Sequence, residues 1–406
     1  MTTKITLNNC QTAAKNEILG FLYDPSEKEF CLTGGPGTGK STLVTDILSS
    51  LDEVNETIRI MGGKNFINDI VFTAPTNKAA GVINGHTIYS KLGLSMFNDY
   101  KTGKVRINTK NATPIVDSLV IVDEAFMLDD LILDIINKYV VGSSKVLFVG
   151  DQDQLPPVGC TTMPLLNRTM PTYELQTQER FDPSSEAYTL ISNIKKWIRT
   201  GDSNFNINFA NNVIQMGDVD LDKFILNSTD RDVILTFTNE CAIAMNQHTR
   251  ALKGISTDFF NEGDTVLSCS TLPVTSKQGR IMTDMPYTIT NIGPEEEYLG
   301  AFKYRSCLLN GTRVDVISDP KAYANAVKEC KRRKDWREYF TLKEEFADVR
   351  DAYAITTHKS QGSTYDNVVV NLNNYRKCRD PFMLPRLLYV AISRAKYNVY
   401  IYGSLN

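Results

Sequence analysis

The sequence predicts an α/β protein with two parallel sheets, each the centre of its own domain. Three observations carry this. Apolar β-branched runs alternate with helical patterns over roughly the first 150 residues, as in a parallel sheet with crossover helices. A second set of such runs follows Pro183. Between Gly263 and Val316 the second set is broken by short β-like runs set off by Gly and Pro. With 406 residues and 42% hydrophobic content, two or three packed domains are expected. The predicted division is 1–182, with an insertion at about 94–117, and 183–406, with a β-rich insertion at about 263–347.

In the first domain the expected strands are Phe30–Thr33, Ile70–Ala74, Leu119–Val122 and Lys145–Gly150. Each ends in a polar cluster: glycines, Thr-Pro, Asp-Glu, Gly-Asp. Ligands of open α/β sheets bind at such carboxyl ends. A helix is expected over Thr42–Leu51. Asn98–Arg106 reads as a hairpin with Gly103 at its turn, in a locally basic stretch that includes Lys101, Lys104, Arg106 and Lys110. In the second domain the expected strands are Val233–Thr238, Ala354–Thr357, Val368–Asn371 and Val399–Tyr402. The β-rich insertion contributes Thr265–Ser268, Tyr287–Thr290 and Arg313–Ile317. Ala322–Phe346 is charged and helical in pattern, and its run Lys331-Arg332-Arg333-Lys334 reads as a solvated helix face.

The 44 basic and 47 acidic residues give a net charge of −3. That excludes a chain that binds polyanions through its global field, so any nucleic-acid site has to be a local groove. The eight cysteines are scattered without a CxxC pair, which argues against zinc and against a disulfide framework. The chain starts Met1-Thr2-Thr3-Lys4 and runs into a polar stretch rather than an apolar signal core, and no apolar run approaches membrane-spanning length. A soluble intracellular protein is expected.

The strongest chemical signal is Gly34-Gly35-Pro36-Gly37-Thr38-Gly39-Lys40-Ser41. It fits G-x-x-x-x-G-K-[ST] between a strand and a helix, the context that defines a phosphate-binding loop. The glycines let backbone N–H groups turn inward around phosphate oxygens. Lys40 is expected on the β- and γ-phosphates of ATP, and the Ser41 hydroxyl on Mg²⁺. The run Leu119–Val122 then delivers Asp123 and Glu124 to the sheet edge. Asp123 is expected to hold Mg²⁺, and Glu124 to orient and deprotonate the attacking water. These two motifs define an ATP hydrolase without choosing its client.

The remaining motifs reach a family. Phe72-Thr73-Ala74-Pro75-Thr76-Asn77-Lys78-Ala79-Ala80 resembles a superfamily 1 helicase motif, and Gly85-His86-Thr87-Ile88-Tyr89 resembles the short motif that follows it in the RecD/Dda branch. Gly150–Val158 is similar to that branch's third motif, Thr356–Thr364 to its fifth and Tyr389–Ala395 to its sixth. Size and insertions most resemble phage Dda helicases; RecD and PIF-type helicases are similar but larger. The resemblance implies two RecA-like domains, with a small hairpin insertion in the first and an SH3-like insertion in the second. It implies an ATP- and Mg²⁺-dependent DNA helicase that moves 5′ to 3′ on single-stranded DNA in phage replication or recombination.

The resemblance also assigns roles. Gln154 senses the γ-phosphate, the alternative being a turn amide that caps a helix. Arg394, read as opening a helix after a strand-like run, and Arg180 act as arginine fingers; for Arg180 the alternative is a surface salt bridge. Gln11 reads the adenine edge, or else is a helix N-terminal amide. Gly362 lies in the nucleotide-facing fifth motif. Thr73, Pro75, Thr76, Asn77, His86, Thr357, His358, Ser360 and Thr364 meet the strand, with hydroxyls and amides positioning phosphates without reading sequence. The basic hairpin sits where Dda-like helicases carry the strand-separating pin, so Phe97 or Tyr100 is expected to stack at the fork. Expected partners are single-stranded DNA, forks, and single-strand-binding or replisome proteins, with no membrane, a monomeric or weakly associating state, and a bacterial host cytoplasm. An RNA-directed or protein-displacing translocase, and a P-loop NTPase with no nucleic-acid track, stay open as alternatives.

Overall fold

The computed structural model describes residues 6–405, apart from 65, 158, 178–180 and 273–280. The first sheet has six strands in the order Thr172–Leu175, Glu29–Gly34, Lys145–Gly150, Ser118–Val122, Asp69–Ala74 and His86–Thr87. Every neighbouring pair is parallel. Strands buried on both faces are predominantly apolar, and Ser118–Val122 and Lys145–Gly150 are buried throughout, with the polar Ser118 and Lys145 at their first positions. One face packs against the helices Asn9–Tyr23, Lys40–Leu48 and Leu51–Ile60, the other against Asp130–Tyr139. The expected helix Thr42–Leu51 is therefore two. It starts at Lys40, directly after the left-handed Gly39, and ends at Leu48; a second helix begins at Leu51.

The second sheet has five parallel strands in the order Val213–Met216, Ala395–Tyr402, Tyr365–Asn371, Asp232–Thr236 and Ala354–Thr356. Its main core is closed by the helices Glu186–Thr200 and Met383–Ser393. Met383–Ser393 corrects an expectation. The run before Arg394 reads as strand-like because every residue from Pro385 to Ser393 is buried, which erases helical periodicity. It is a helix, and Arg394 ends it instead of opening one, just before the strand Ala395–Tyr402.

The β-rich insertion is a mainly antiparallel six-stranded sheet, ordered Phe346–Ala347, Thr312–Ile317, Phe302–Leu309, Pro286–Tyr298, Thr265–Ser268 and Val349–Asp351. The helices Pro320–Arg333 and Trp336–Glu345 pack on it through an aromatic cluster that includes Tyr298, Phe302, Tyr323 and Phe346. The basic run is the solvated end of the first of these helices, where Arg332 and Arg333 both pair with Glu329. In the first domain's insertion, Ser95–Asp99 pairs with Lys104–Asn108 and Gly103 (φ +67°) closes the turn. This hairpin docks on the second insertion. The ring of Tyr100 meets Phe340 edge-on with centroids 5.6 Å apart. Asn98 bonds Glu344, and a Cβ on Gly103 would strike the Trp336 ring at 2.3 Å.

Candidate nucleotide site and nucleic-acid interface

The phosphate-binding loop runs from the end of Glu29–Gly34 into Lys40–Leu48, with Gly37 and Gly39 at positive φ. Gly39 is required twice over: at φ +78° any L side chain is strained, and a Cβ would lie 2.1 Å from Gln11 Nε2. Gly34 is pressed against Thr38 and Leu175. The Thr38 hydroxyl donates to Gly35 O at 2.9 Å, which holds the loop's curl past Pro36. Lys40 Nζ donates to Gly34 O at 2.6 Å and Gly35 O at 3.1 Å, so the ammonium is folded over the cradle.

Gln11 is buried at the third position of helix Asn9–Tyr23. Its Oε1 accepts from Asn8 N at 3.0 Å in a capping box, and its Nε2 donates to Thr38 O at 3.2 Å. The amide thus does what the alternative reading expected, and also ties the helix to the loop. One N–H and one lone pair are left for a base edge.

Asp123 and Glu124 follow Ser118–Val122. Asp123 N is bonded to Thr73 O of the neighbouring strand at 2.9 Å. Glu124 sits at φ +50°, a left-handed kink that turns its side chain off the strand direction, and its N–H donates to Asp123 Oδ1 at 2.9 Å. Beyond the next strand lies Asp151. Burial raises all three carboxyls, and Glu124 is raised further by Asp123 beside it. Lys40 opposes the shift at each, and Arg394 opposes it at Glu124. Arg394, from the second domain, is itself buried and pulled down by desolvation. Its guanidinium donates to Val390 O, Ser363 O and Ser393 Oγ. The bond to Ser363 ties it to the loop that carries Gly362, which is exposed at φ +72°. Arg180 lies outside the described residues.

Gln154 is buried in the turn after Lys145–Gly150. Its Nε2 reaches Asp151 Oδ2 at 3.3 Å while its Oε1 is buried without a hydrogen bond. Among the described residues no helix follows for it to cap; the next described element is a short 3₁₀ turn at Pro164–Asn167. A buried, unpaired amide oxygen is costly unless something donates to it.

The second domain grips this turn with residues the sequence reading missed. Arg386 donates from helix Met383–Ser393 to Gln152 O at 2.6 Å and Gln154 O at 3.0 Å. One turn on, the Tyr389 hydroxyl donates to Asp151 Oδ2 at 2.9 Å. From helix Glu186–Thr200, Arg199 holds Asp153 through two nitrogens, 2.8 and 3.2 Å, and Lys195 reaches Glu174 at 2.9 Å. Tyr389 opens the sixth motif without an assigned role, and Arg386, three residues earlier, lies in an apolar run where its i, i+3 spacing to Tyr389 is the available signal. A cleft of about 330 Å³ opens between Gly35, Thr38 and Glu174 on one side and Tyr188, Lys195 and Tyr389 on the other. It adjoins the phosphate-binding loop at the junction of the domains, where small-molecule sites commonly form.

The residues expected on nucleic acid divide into two groups. Pro75, Thr76 and Asn77 are partly exposed after strand Asp69–Ala74; His86 is exposed beside them, paired in register with Thr73. In the second domain His358 is partly buried, which lowers its imidazole, and Thr364 is exposed. Phe97 is exposed on the hairpin. The other group is corrected. Thr73 is fully buried and donates to Ile121 O at 3.0 Å. Thr357 is fully buried against Thr236 O and the Tyr375 hydroxyl. Ser360 is fully buried and donates to Thr357 O at 2.7 Å. These hydroxyls lock the sheet ends that carry the exposed residues; none can reach a strand.

Two parallel sheets face one another across a phosphate-binding loop, and the second sends an arginine to the first one's carboxylates. This defines a P-loop protein with two RecA-like domains. Residues 23–160 match the AAA domain family model, and 351–402 match the UvrD-like helicase C-terminal domain. The chain is 35% identical to the ATP-dependent RecD2 DNA helicase of Deinococcus radiodurans over 144 residues, 33% of this chain and 17% of that protein. It is 24% identical to an uncharacterized protein of Acanthamoeba polyphaga mimivirus, covering 96% of this chain and 98% of that one. The fold is similar to the Pif1 helicase from Bacteroides in complex with ADP-AlF3 and ssDNA, with TM-score 0.52, 19% identity and 98% and 92% coverage. It is also similar to the Pif1 helicase from Candida albicans, with TM-score 0.51, 16% identity and 98% and 95% coverage. The chain is thus similar in fold to helicases of the Pif1 type, and parts of its sequence are similar to the UvrD-like helicase C-terminal domain and to the RecD2 helicase. Among the described residues no helix is long and apolar enough to cross a membrane, and no cluster of His, Cys, Asp and Glu is arranged to hold a metal by itself.

Proposed function

We propose that this chain is an ATP-dependent DNA helicase that translocates 5′ to 3′ along single-stranded DNA and unwinds the duplex ahead, in phage DNA replication or recombination within a bacterial host cytoplasm. The observation that carries the reading is the meeting of Lys40, Asp123, Glu124 and Asp151 from one sheet with Arg386, Tyr389 and Arg394 from the other. A hydrolytic site split between two domains opens and closes with its nucleotide, and that motion drives stepping.

In this reading Lys40 leaves the Gly34 and Gly35 carbonyls for the β- and γ-phosphates. The attacking water donates to the unpaired Gln154 Oε1 and passes its proton to Glu124, whose raised carboxyl suits a general base. Arg394 balances charge building on the transferred phosphoryl group, and Arg180 is assigned the same task by resemblance. Gln11 offers its remaining amide capacity to adenine. The Ser41 hydroxyl and the Asp123 carboxylate are the hard oxygen donors Mg²⁺ prefers, and Asp123 is a buried carboxyl opposed by Lys40 alone among the cations, so the site fits the ion. Bound there, Mg²⁺ would neutralise phosphate charge. Pro75, Thr76, Asn77, His86, His358 and Thr364 line the path for the strand, and Phe97, exposed on the hairpin while Tyr100 packs on Phe340, stands at the fork. Layout and size fit the Dda pattern, with single-strand-binding or replisome proteins as further partners.

The test is steady-state ATPase with no nucleic acid, with single-stranded DNA, and with RNA of equal length, followed by unwinding of 5′-tailed and 3′-tailed duplexes. A large rise with DNA and preference for the 5′ tail support the reading. Stimulation by RNA alone moves the track to RNA; no stimulation by either rejects the motor.

A further inference from the structure

The hairpin of the first domain and the helices of the β-rich insertion meet in register. Trp336, Phe340 and Glu344 are spaced four apart on the helix Trp336–Glu345 and so share one face. Along that face they meet Gly103, the Tyr100 ring and Asn98 in turn. The hairpin's turn therefore lies over the first turn of this helix, beside the bend that joins it to Pro320–Arg333. No cation takes part in these three contacts.

Both sides of the junction are cationic all the same. Lys101 and Lys104 flank Gly103, and Lys331, Lys334 and Arg337 flank Trp336; all five are exposed. Among the described residues none of the five is in an ion pair, and Lys331 lies over the Tyr339 ring at 5.3 Å. The acids nearby are engaged with other groups. Asp99 pairs with Arg106 and accepts from the N–H groups of Lys101 and Thr102. Glu329 holds Arg332 and Arg333. Asp335 caps its helix at Glu338 N, Glu338 accepts from the Tyr298 hydroxyl, Glu344 accepts from Asn98, and Glu345 ends the helix. On the strand Pro286–Tyr298, Glu295 pairs with Lys303 at 2.7 Å, Glu296 accepts from the Tyr304 hydroxyl at 2.7 Å, and Glu297 lies opposite Lys303 in register. Residues 95–110 and 320–345 together hold twelve cations and six acids, in a chain of net charge −3. The undescribed residues 273–280 include Lys277 and Arg280 and no acid, so they cancel none of this charge.

Local folding accounts for part of it. Lys331 stands in the last turn of its helix, where the dipole favours a cation. Arg337 stands in the first turn of the next helix, where the dipole opposes one. Lys334 ends Pro320–Arg333 at φ +56°, a position usually given to Gly or Asn, so a lysine is kept there at a conformational cost. Docking then brings Lys101 and Lys104 from another domain, and like charges drawn together oppose the docking. A polyanion laid across both sides relieves that repulsion. On the hairpin, pairing and alternation put Lys104 on the same face as Phe97 and Arg106, so the exposed ring and the cation look the same way.

We propose that the joined surface of the hairpin and the two helices binds the phosphate backbone of double-stranded DNA through Lys101, Lys104, Lys331, Lys334 and Arg337. This rests on the proposed function, in which Phe97 stands at the fork and the duplex lies ahead of it. Contacts to phosphates from both insertions hold that arm without reading its sequence.

The experiment is fluorescence anisotropy of the full chain over a salt series, without nucleotide, on two labelled probes: an oligo-dT, and a fork that carries the same oligo-dT as a 5′ tail on a short duplex. The wild type is expected to bind the fork more tightly and with the steeper log–log salt dependence. A chain with Lys104→Gln, Lys334→Gln and Arg337→Gln should lose about 10-fold in fork affinity and about 0.9 of slope for each duplex phosphate contact removed, with oligo-dT affinity within about 1.5-fold. Lys104→Arg, Lys334→Arg and Arg337→Lys keep the charge and should keep the slope, which separates loss of charge from loss of fold. Unchanged fork binding in the Gln variant overturns the duplex surface alone; loss of poly-glutamate binding in that variant would then give the surface to an acidic protein. Equal loss on both probes also overturns it, because the cations then act on the single strand. A wild-type chain that binds neither probe overturns the helicase reading, and the surface with it.

Discussion

Tyr389 donates its hydroxyl to Asp151 at 2.9 Å across the boundary between the two RecA-like domains. Both groups are fully enclosed, and the same Asp151 oxygen accepts from Gln154. A Cβ on Gly35 would lie 3.0 Å from the hydroxyl, so the phenol also closes over the phosphate-binding loop. Any rotation of the second domain must therefore move a proton donor relative to the turn that holds Gln154.

Tyr389→Phe removes that donor and keeps the ring. A hydrogen bond to a charged group contributes about 1.5–3 kcal/mol. DNA-stimulated kcat should fall about 10-fold with KM for ATP changed less than about 3-fold, since the bond orients the turn without holding nucleotide. Steady-state kinetics with saturating single-stranded DNA checks this; an unchanged kcat would show the bond plays no part in turnover.

Lys40→Ala should remove hydrolysis and weaken nucleotide binding together, because the phosphates lose their cationic partner. Glu124→Gln should leave ATP affinity within about 3-fold while turnover drops 10²–10⁴-fold, the usual contribution of a general base. Equilibrium binding of a fluorescent ATP analogue beside phosphate release separates the two. Normal turnover in either variant would remove it from the hydrolytic machinery.

The buried hydroxyls predict stability effects, not binding effects. Thr73→Val should cost about 1 kcal/mol of stability and leave single-strand affinity within about 2-fold. Thr76→Ala loses the cap it gives to Ala79 N and should also weaken DNA binding measurably. Thermal melts paired with anisotropy titrations tell these apart, and a 10-fold affinity loss in Thr73→Val would contradict its placement.

That pair shows where sequence reading works and where it stops. Gly34 to Ser41 is legible because its chemistry is local: the glycines, the lysine and the helix start are contiguous. The alternation that gave the two sheets is also local. Whether Thr73 faces a strand or the Ile121 carbonyl depends on which strand lies beside it, and no motif encodes that. Arg386, and the facing of Tyr389 toward Asp151, stayed hidden because a helix buried all round loses its period. The docking of Gly103 on Trp336 joins segments far apart in sequence, and only the folded chain brings them together.

Gly103→Ala should unseat the hairpin, because the new Cβ would overlap the Trp336 ring and strain the turn at φ +67°. The phosphate-binding loop and the exposed strand-lining residues lie elsewhere. Unwinding of a forked duplex should fall at least about 5-fold while ATPase stimulated by single-stranded DNA stays within about 2-fold. Equal loss of both activities would mean the hairpin supports the motor itself and not the fork.

The carboxyls of Asp123, Glu124 and Asp151 are all raised by burial in the folded chain. The sign for stability follows. A carboxyl whose folded value exceeds its unfolded value binds protons more tightly when folded, so stability falls as pH rises from the unfolded to the folded value and stays low above it. At neutral pH the three charges therefore act against folding in the absence of bound cation. Glu124→Gln removes one of them at nearly constant shape and should raise Tm at neutral pH by about 2–4 °C, with the gain shrinking as pH is lowered toward the ordinary carboxylate range. The same raised carboxyl puts the acid limb of kcat above that range, since Glu124 must be ionised to take a proton. Differential scanning calorimetry over pH, run beside a pH–rate profile, checks both. A Glu124→Gln chain with lower Tm at neutral pH would show that the carboxylate is stabilised where it sits and is not held in a site built to act on a cation and a water.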